Sequence, residues 1–474
     1  MAHSVQTHEA ILAVAVVGFH HSKGSLLEFT HPQSTDLSSF QHLIHQALPD
    51  GAHNVGAGSV CFVLHPASRG KDKSPPSNCM VVSCFRQIPT GELDAAGQEE
   101  EFTRATVQKA VCVVSRVPTY GLIEARLRMV TEAYFNSKNF SDKSLLIELY
   151  DYLMKVSSQD APLEEIVHLG LDLSFLLIPH ELRPLQIVKA LLLGCSVMVY
   201  SPSAEIVSRS VLTLASLIPG CIEGMLDHNQ SSRFVCSAES SWIQPYICLQ
   251  QMEDVAERHS RRKPHLFGAA NPLFERRQAG LCDVFFNVKS GQLVVNAATL
   301  KSSLTPTMAD LRFCALLQPA TSTDGITSPQ GTPWVGSDDY IRSQFGVYLS
   351  TLVCACQNHA EEDVRDFGTE FVAMWRETTM YHQLLESPAL LAGVWLSGEG
   401  RSSTHPCHGG VGLSDVRRKV VAHMNDYVTT EQLEGVKQAV SGTKDRLLHS
   451  WNSMSTALWN WWGDQKKEEE NSQT

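Results

Sequence analysis

The sequence predicts an α/β fold, and three stretches carry that prediction. Leu182 to Pro219 reads as helix, strand, helix: Leu185, Val188, Leu191 and Leu192 share one helical stripe, Val197 to Tyr200 is a short β-branched apolar run, and Val207, Val211, Leu214 and Ile218 recur at helical spacing. A strand that is apolar along its whole length is buried on both faces and belongs in the middle of a sheet covered by helices. The first 160 residues mix about five strand-like runs with three helical ones, and from Thr299 onward the text is helical.

The elements follow in order. Ile11 to Phe19 and Leu26 to Phe29, joined by the polar turn His20 to Ser25, predict a hairpin. Phe40, Leu43, Ile44 and Leu48 place a helix over Ser38 to Leu48. Val60 to Leu64, Met80 to Phe85 and Ala110 to Ser115 are strands, and the Gly, Pro and Lys content between the first two marks an exposed loop. Tyr120 to Phe135 and Ser141 to Met154 are helices. In the Leu182 unit, Ser201 is the expected cap of the second helix, with Pro202 at its first position and Glu205 in its first turn. Asp227 to Ser241 reads as a loop, Pro245 to Leu249, Phe267 to Ala270 and Asp283 to Val288 as short strands. Pro306 to Leu317, Ser337 to Gln357 and Glu361 to Thr379 are helices. The Ser, Thr, Gly and Pro segment Gln318 to Pro333 is the best linker, and Leu396 to Leu413 a second flexible stretch. In the tail, Asp445 to Trp462 gathers Trp451, Trp459, Trp461 and Trp462 in one helix-length window ahead of a KKEEE run. Such a helix either lies on a membrane interface or packs back on the body.

Composition excludes several function classes. Of 474 residues, 38 are Lys or Arg and 50 Asp or Glu, a formal charge of −12, which argues against nucleic acid, whose phosphates demand a cationic surface. The 13 cysteines include no C-x-x-C pair, so neither a disulfide framework nor a paired zinc site is expected. Ile11 to Phe19 lacks the basic flank and cleavage site of a signal peptide, and Leu185 to Tyr200 is broken by Gln186, Lys189 and Ser196. A cytosolic protein that touches membranes only from their surface is the expectation.

No arrangement for bond-making chemistry is present. There is no G-x-S-x-G elbow, no H-E-x-x-H and no Walker loop, and Gly56 to Gly58 begins a dinucleotide fingerprint that stops after two glycines. His405, Cys407 and His408 sit in a Gly and Ser stretch without a second ligand group at zinc spacing, so no metal is expected there. The basic run Arg258, Arg261, Arg262 and Lys263, with Arg276 and Arg277 behind it, is open to two readings: a solvated face, or a contact for an acidic partner or anionic lipid. Catalytic residues, cofactors and a small-molecule substrate are therefore not expected.

Several strings together resemble one family. LPDGAHN (Leu48 to Asn54), CFRQI (Cys84 to Ile88), TRATVQKAVCVVSRVPTYG (Thr103 to Gly121), the Leu182 unit, PYICLQQ (Pro245 to Gln251), GAANPLF (Gly268 to Phe274), LTPTMADLRF (Leu304 to Phe313), IRSQFGVYL (Ile341 to Leu349) and DFGTEFVAMW (Asp366 to Trp375) resemble the DENN-domain proteins, and among them the late-secretory-pathway Avl-nine family. The resemblance implies a tripartite DENN module: a longin-like upstream domain (1–160), a central α/β DENN domain (161–298) and a downstream helical region (299–395), followed by a flexible segment and the Trp-rich helix (396–474). It implies a guanine-nucleotide exchange factor for a Rab GTPase, in the cytoplasm at the surface of Golgi, endosomal or vesicle membranes. The competing expectation is a trafficking adaptor or Rab effector that binds membranes through its C-terminal helix. An exchange factor makes no bonds; it binds the nucleotide-free GTPase best and by reciprocal linkage weakens the nucleotide. Its site is a surface, expected between the first two domains at Asp50, His53, Asn54, Arg104, Gln108, Asn271 and Pro272. Singly, Asp50 with Gly51 and Asn271 with Pro272 are also natural turn formers, and Arg104 could pair with Glu101.

Overall fold

A computed structural model describes residues 10–20, 22–38, 40, 42–65, 78–93, 105–157, 166–226, 242–318, 336–358, 361–386, 402–410 and 415. All of them lie in the compact unit Met1–Val416. Trp451, Trp459, Trp461 and Trp462, the linker 319–333 and the loop 227–241 lie outside the described residues.

The protein is α/β, with two five-stranded sheets. The first is antiparallel, in the order β2-β1-β5-β4-β3, from β1 (Ile11–His20), β2 (Gly24–His31), β3 (Ala57–Leu64), β4 (Cys79–Pro89) and β5 (Thr106–Ser115). Val14 to Val17 and Ala110 to Val114 are completely buried, which is why these strands read as continuous apolar runs. A short α1 (Leu43–Ala47) packs on this sheet, as do α2 (Tyr120–Asn136) and α3 (Ser144–Ser157), through Ile123 and Leu127 of α2 and Leu146, Leu149 and Leu153 of α3. The helix expected from Ser38 is shorter than its periodicity, because Leu37 and Phe40 reach the core from successive three-residue turns. Phe40 N–H donates to Leu37 O, and Leu43 N–H to Phe40 O.

The second sheet runs β10-β9-β6-β8-β7 and follows α4 (Ser174–His180) and α5 (Arg183–Leu192). Its strands are β6 (Ser196–Tyr200), β7 (Trp242–Ile247), β8 (His265–Ala269), β9 (Val284–Asn287) and β10 (Gln292–Val295). The first four are parallel and β10 closes the sheet antiparallel to β9. Helices α6 (Ala204–Ala215), α7 (Met252–Ser260) and α8 (Pro272–Arg277) connect them. β6 is the central strand and all five of its residues are buried. Val197 and Val199 join the core that holds Val211 and Leu214 of α6, while Met198 and Tyr200 face Phe267, Phe285, Val255 and Phe274 in a separate cluster. The alternation places one cluster on each face of the sheet. The cap of α6 is Ser203 rather than Ser201: Ser203 has extended backbone and its Oγ accepts from Ile206 N–H, while the Ser201 hydroxyl accepts from Ser203 N–H and turns the chain.

β7 contains Pro245, tolerated because β7 is an edge strand whose register with β8 shifts between Gln244 and Ile247. Gly268 on β8 is the complement: a Cβ there would stand 2.2 Å from Pro245 O, so only glycine admits the displaced backbone.

The α-helices that follow are α9 (Met308–Leu317), α10 (Asp338–Asn358), α11 (Glu361–Phe367), α12 (Thr369–Arg376) and α13 (Thr379–Glu386). The single helix expected over Glu361 to Thr379 is broken at Gly368, whose φ of 98° lies where side-chain-bearing residues are strained. These helices meet α5 around a buried ionic network. Lys189 Nζ of α5 donates to Asp310 Oδ2 at 2.5 Å and to Phe367 O at 2.9 Å, and Tyr348 hydroxyl donates to Asp310 Oδ1 at 2.8 Å.

The stretch expected to be flexible, Leu396 to Leu413, contains a segment packed on this network. His405 is 2% exposed, sits among the rings of Phe313, Tyr348 and Phe367, and has Nε2 3.6 Å from Asp310 Oδ1. Arg312 donates to the carbonyls of Cys407, Gly409 and Gly410, and His408 pairs with Asp366. Gly and Ser content signalled the loop; the buried imidazole holds it down. Twelve cysteines lie among the described residues, all buried except the half-buried Cys407.

Candidate partner-binding site

The two sheets meet edge to edge, β3 of the first beside β7 of the second, with α6 packed on both. Trp242, Gln244 and Tyr246 of β7 each hydrogen-bond across the seam, to the end of β3 or to α1 and the turn after it. Trp242 Nε1–H donates to His65 Nε2 at 2.6 Å. Gln244 behaves like a missing ladder rung: Val63 N–H donates to its Oε1 at 2.6 Å, and its Nε2 donates to Val63 O at 2.7 Å. Gln46 Nε2 donates to Tyr246 O at 2.7 Å. Beside this row, Glu205 of α6 accepts from Ser59 N–H at 3.2 Å and from Arg128 Nη2 at 3.1 Å. The seam is hydrogen-bonded along its length, which ties the two sheets together beneath the turns that stand above it.

Asp50 and Asn271 stand on those turns. Asp50 follows α1, and its backbone N–H donates to the buried Tyr246 hydroxyl at 2.9 Å. Gly51, at φ 81°, reverses the chain into a short 3-10 turn, Ala52–Asn54. Asn271 leaves the end of β8 and caps α8, its Oδ1 accepting from Leu273 N–H, with Pro272 at the first helical position. The free half of that amide reaches the first turn: Asn271 Nδ2 donates to Asp50 Oδ2 at 3.3 Å. Burial pushes the Asp50 carboxyl up from its ordinary value, opposed by the hydrogen bond from Asn271 and one from Leu249 N–H. His53 and Asn54 are exposed on the turn, followed by Val55 at 50% exposure, and Leu273 after Pro272 is 41% exposed.

The structure thus brings Asp50 and Asn271 into contact, with His53, Asn54 and Pro272 on the same two turns. Gln108 is not part of that contact. It lies on β5 opposite Gln87 of β4, whose N–H reaches Gly56 O of the loop after the turn, and its Nε2 is buried without a hydrogen-bond partner. Arg104 lies outside the described residues. Sequence reasoning missed Tyr246, Gln244 and Gln46. The available signal was the spacing Trp242, Gln244, Tyr246, three large side chains with polar ends at alternate positions. Pro245 hid it by starting the apparent strand too late.

Among the described residues, no helix is long and apolar enough to cross a membrane, and no group of three His, Cys, Asp or Glu side chains is arranged to hold a metal.

The family described as "Transport protein Avl9" matches residues 11–239 and 234–356. The chain is similar to "Late secretory pathway protein AVL9" of Saccharomyces cerevisiae, 26% identical over 441 residues, which cover 78% of this chain and 57% of that protein. It is also similar to "Late secretory pathway protein avl9" of Schizosaccharomyces pombe, 26% identical over 422 residues, 78% of this chain and 86% of the relative. The chain therefore spans little more than half the length of the first of these. Because the family match runs through both sheets, the seam between them and the start of the helical region, this chain belongs to the Avl9 family.

Proposed function

We propose that the chain is a guanine-nucleotide exchange factor for a Rab-family GTPase in late secretory traffic, and that the seam carries the surface that engages it. The names of the two yeast relatives support the pathway. The resemblance of the nine quoted strings to DENN-domain proteins supports the partner class, and we read the first sheet, the second sheet and the helical region as the three parts of that module.

One observation carries the choice of surface: the Asp50–Asn271 hydrogen bond at 3.3 Å, which joins a turn from each sheet beside exposed Val55 and Leu273. A polar pair beside apolar side chains on a rigid base has the composition of a protein-binding centre. Rigidity matters to the mechanism. A surface that fits the nucleotide-free GTPase and does not adapt to the loaded form converts its differential affinity into faster GDP release, and each tenfold of preference is about 1.4 kcal/mol taken from nucleotide binding.

The test is capture of purified Rab GTPases, nucleotide-free and GTP-loaded, on the immobilised chain. Preference for the nucleotide-free form supports exchange; preference for the GTP form replaces it with the effector reading.

A further inference from the structure

At the opposite end of β7 from Tyr246 stands a cation with no counter-charge among the described residues. Arg258, in the last turn of α7, lays its guanidinium over the Trp242 ring, 5.0 Å from the centroid. Its Nε and Nη2 are buried and have no hydrogen-bond partner. The ordinary explanation for an arginine here, capping the helix C-terminus, does not hold: Arg261 N–H takes Glu257 O, Arg262 N–H takes His259 O, and Lys263 N–H takes Arg258 O. Nor, among the described residues, does a carboxylate pair with it. Glu257 pairs with Arg261 and Asp254 faces His42 at 3.9 Å. His259 is occupied with Ser196, and Asp283 with the same serine. Desolvation accordingly lowers the Arg258 pKa with no opposing charge to restore it.

A half-buried guanidinium with two buried nitrogens that no acceptor satisfies is costly unless something accepts from it. The chain that follows adds cations rather than acceptors. Arg261, Arg262 and Lys263 are all exposed, and Arg262 holds the left-handed conformation, φ 52°, at a helix end where glycine is usual. Four cations within the six positions 258–263 suit a doubly charged, tetrahedral oxyanion better than a single carboxylate.

We propose that Arg258 stacked on Trp242, together with Arg261, Arg262 and Lys263, forms a binding site for a doubly charged phosphate group, as carried by a phosphorylated inositol headgroup or as free inorganic phosphate. This site is separate from the Asp50–Asn271 surface, and its success or failure does not depend on exchange activity.

The test uses the full chain with vesicles of phosphatidylcholine alone, with phosphatidylserine at matched charge, and with a phosphatidylinositol monophosphate. Thermal melting in inorganic phosphate against chloride at equal ionic strength runs in parallel. Arg258→Met keeps an apolar stem on Trp242 and removes the fork; it melts no lower than the parent, because it deletes an uncompensated charge. It is expected to bind phosphoinositide vesicles about tenfold or more weakly. Arg258→Lys keeps charge without the fork, is expected to fall between, and decides the matter should the methionine variant not fold. Arg258-dependent vesicle binding that exceeds phosphatidylserine assigns a lipid headgroup. An Arg258-dependent rise in melting temperature with inorganic phosphate, without vesicle binding, assigns free phosphate. Equal behaviour of parent and variants in both assays, or no binding in either, overturns the proposal.

Discussion

Replacing Asp310 with alanine removes the carboxylate at the centre of the buried network that joins α5 to the helical region. Asp310 is fully buried on α9; it accepts from Lys189 Nζ at 2.5 Å, Tyr348 hydroxyl at 2.8 Å and Thr307 N–H at 2.9 Å. Removing it strands the Lys189 ammonium, 1% exposed, at a cost of about 3–5 kcal/mol. Against a total stability of about 5–15 kcal/mol, that loss dominates. Lys189→Met is expected to cost less, because Tyr348 and Thr307 still satisfy the carboxylate. The double variant should then lose less than the sum of the singles by about 2–3 kcal/mol. Urea denaturation followed by circular dichroism measures all four corners of the cycle. Acid supplies an independent reading. Burial alone would raise the Asp310 pKa, but Lys189 and His405 beside it hold it down at about 2. A group whose folded pKa is depressed stabilises above its unfolded value, so this contribution, on the order of 2–3 kcal/mol, is complete above about pH 4 and lost as pH falls toward about 2. The penalty of Asp310→Asn should therefore shrink between about pH 7 and about pH 3. Additive singles, or a penalty independent of pH, would mean that Lys189 and Asp310 are not coupled in the folded state.

Three further outcomes are expected. Gln244→Leu leaves Val63 N–H and C=O unpaired at the seam and should lower stability by about 2–4 kcal/mol in urea denaturation, more than a surface Gln. Gly268→Ala drives a Cβ into Pro245 O and should cost about 1–3 kcal/mol, read as a lower melting temperature. Tyr246→Phe removes the hydroxyl that accepts from Asp50 N–H; it should change stability by only about 1 kcal/mol yet weaken GTPase capture, because the Asp50 turn loses its tether.

Much of the fold was legible because burial writes itself into apolar runs. Val197 to Tyr200 was readable as a central strand, and it is one, with both faces covered. What stayed hidden were polar groups with interior roles. Gln186, Lys189 and Ser196 look like interruptions of an apolar run, yet all three are buried and hydrogen-bonded. Their partners Leu304, Asp310 and Asp283 are remote in sequence, and no local pattern announces them. α7 escaped notice for a related reason: only Met252 and Val255 of its nine residues are buried, too few to mark a period. His405 shows the same limit, since Gly and Ser around it describe the backbone and not the aromatic pocket that takes its ring. At the candidate site, Asp50 and Asn271 were nameable as turn residues, but their contact spans 221 positions.

The proposed role of the turns carrying Asp50 and Asn271 is to engage a Rab GTPase and release its nucleotide. Release of fluorescent GDP across a panel of purified Rab GTPases, with the parent chain and with Asn271→Asp, tests it most directly. That variant keeps an acceptor for Leu273 N–H and so caps α8, but sets a second carboxylate against Asp50. The parent is expected to accelerate release from at least one member, and Asn271→Asp to lose most of the acceleration while remaining folded, with a melting temperature only modestly lowered by the like-charge pair. No acceleration of any member by the parent, or full acceleration by the variant, would contradict it.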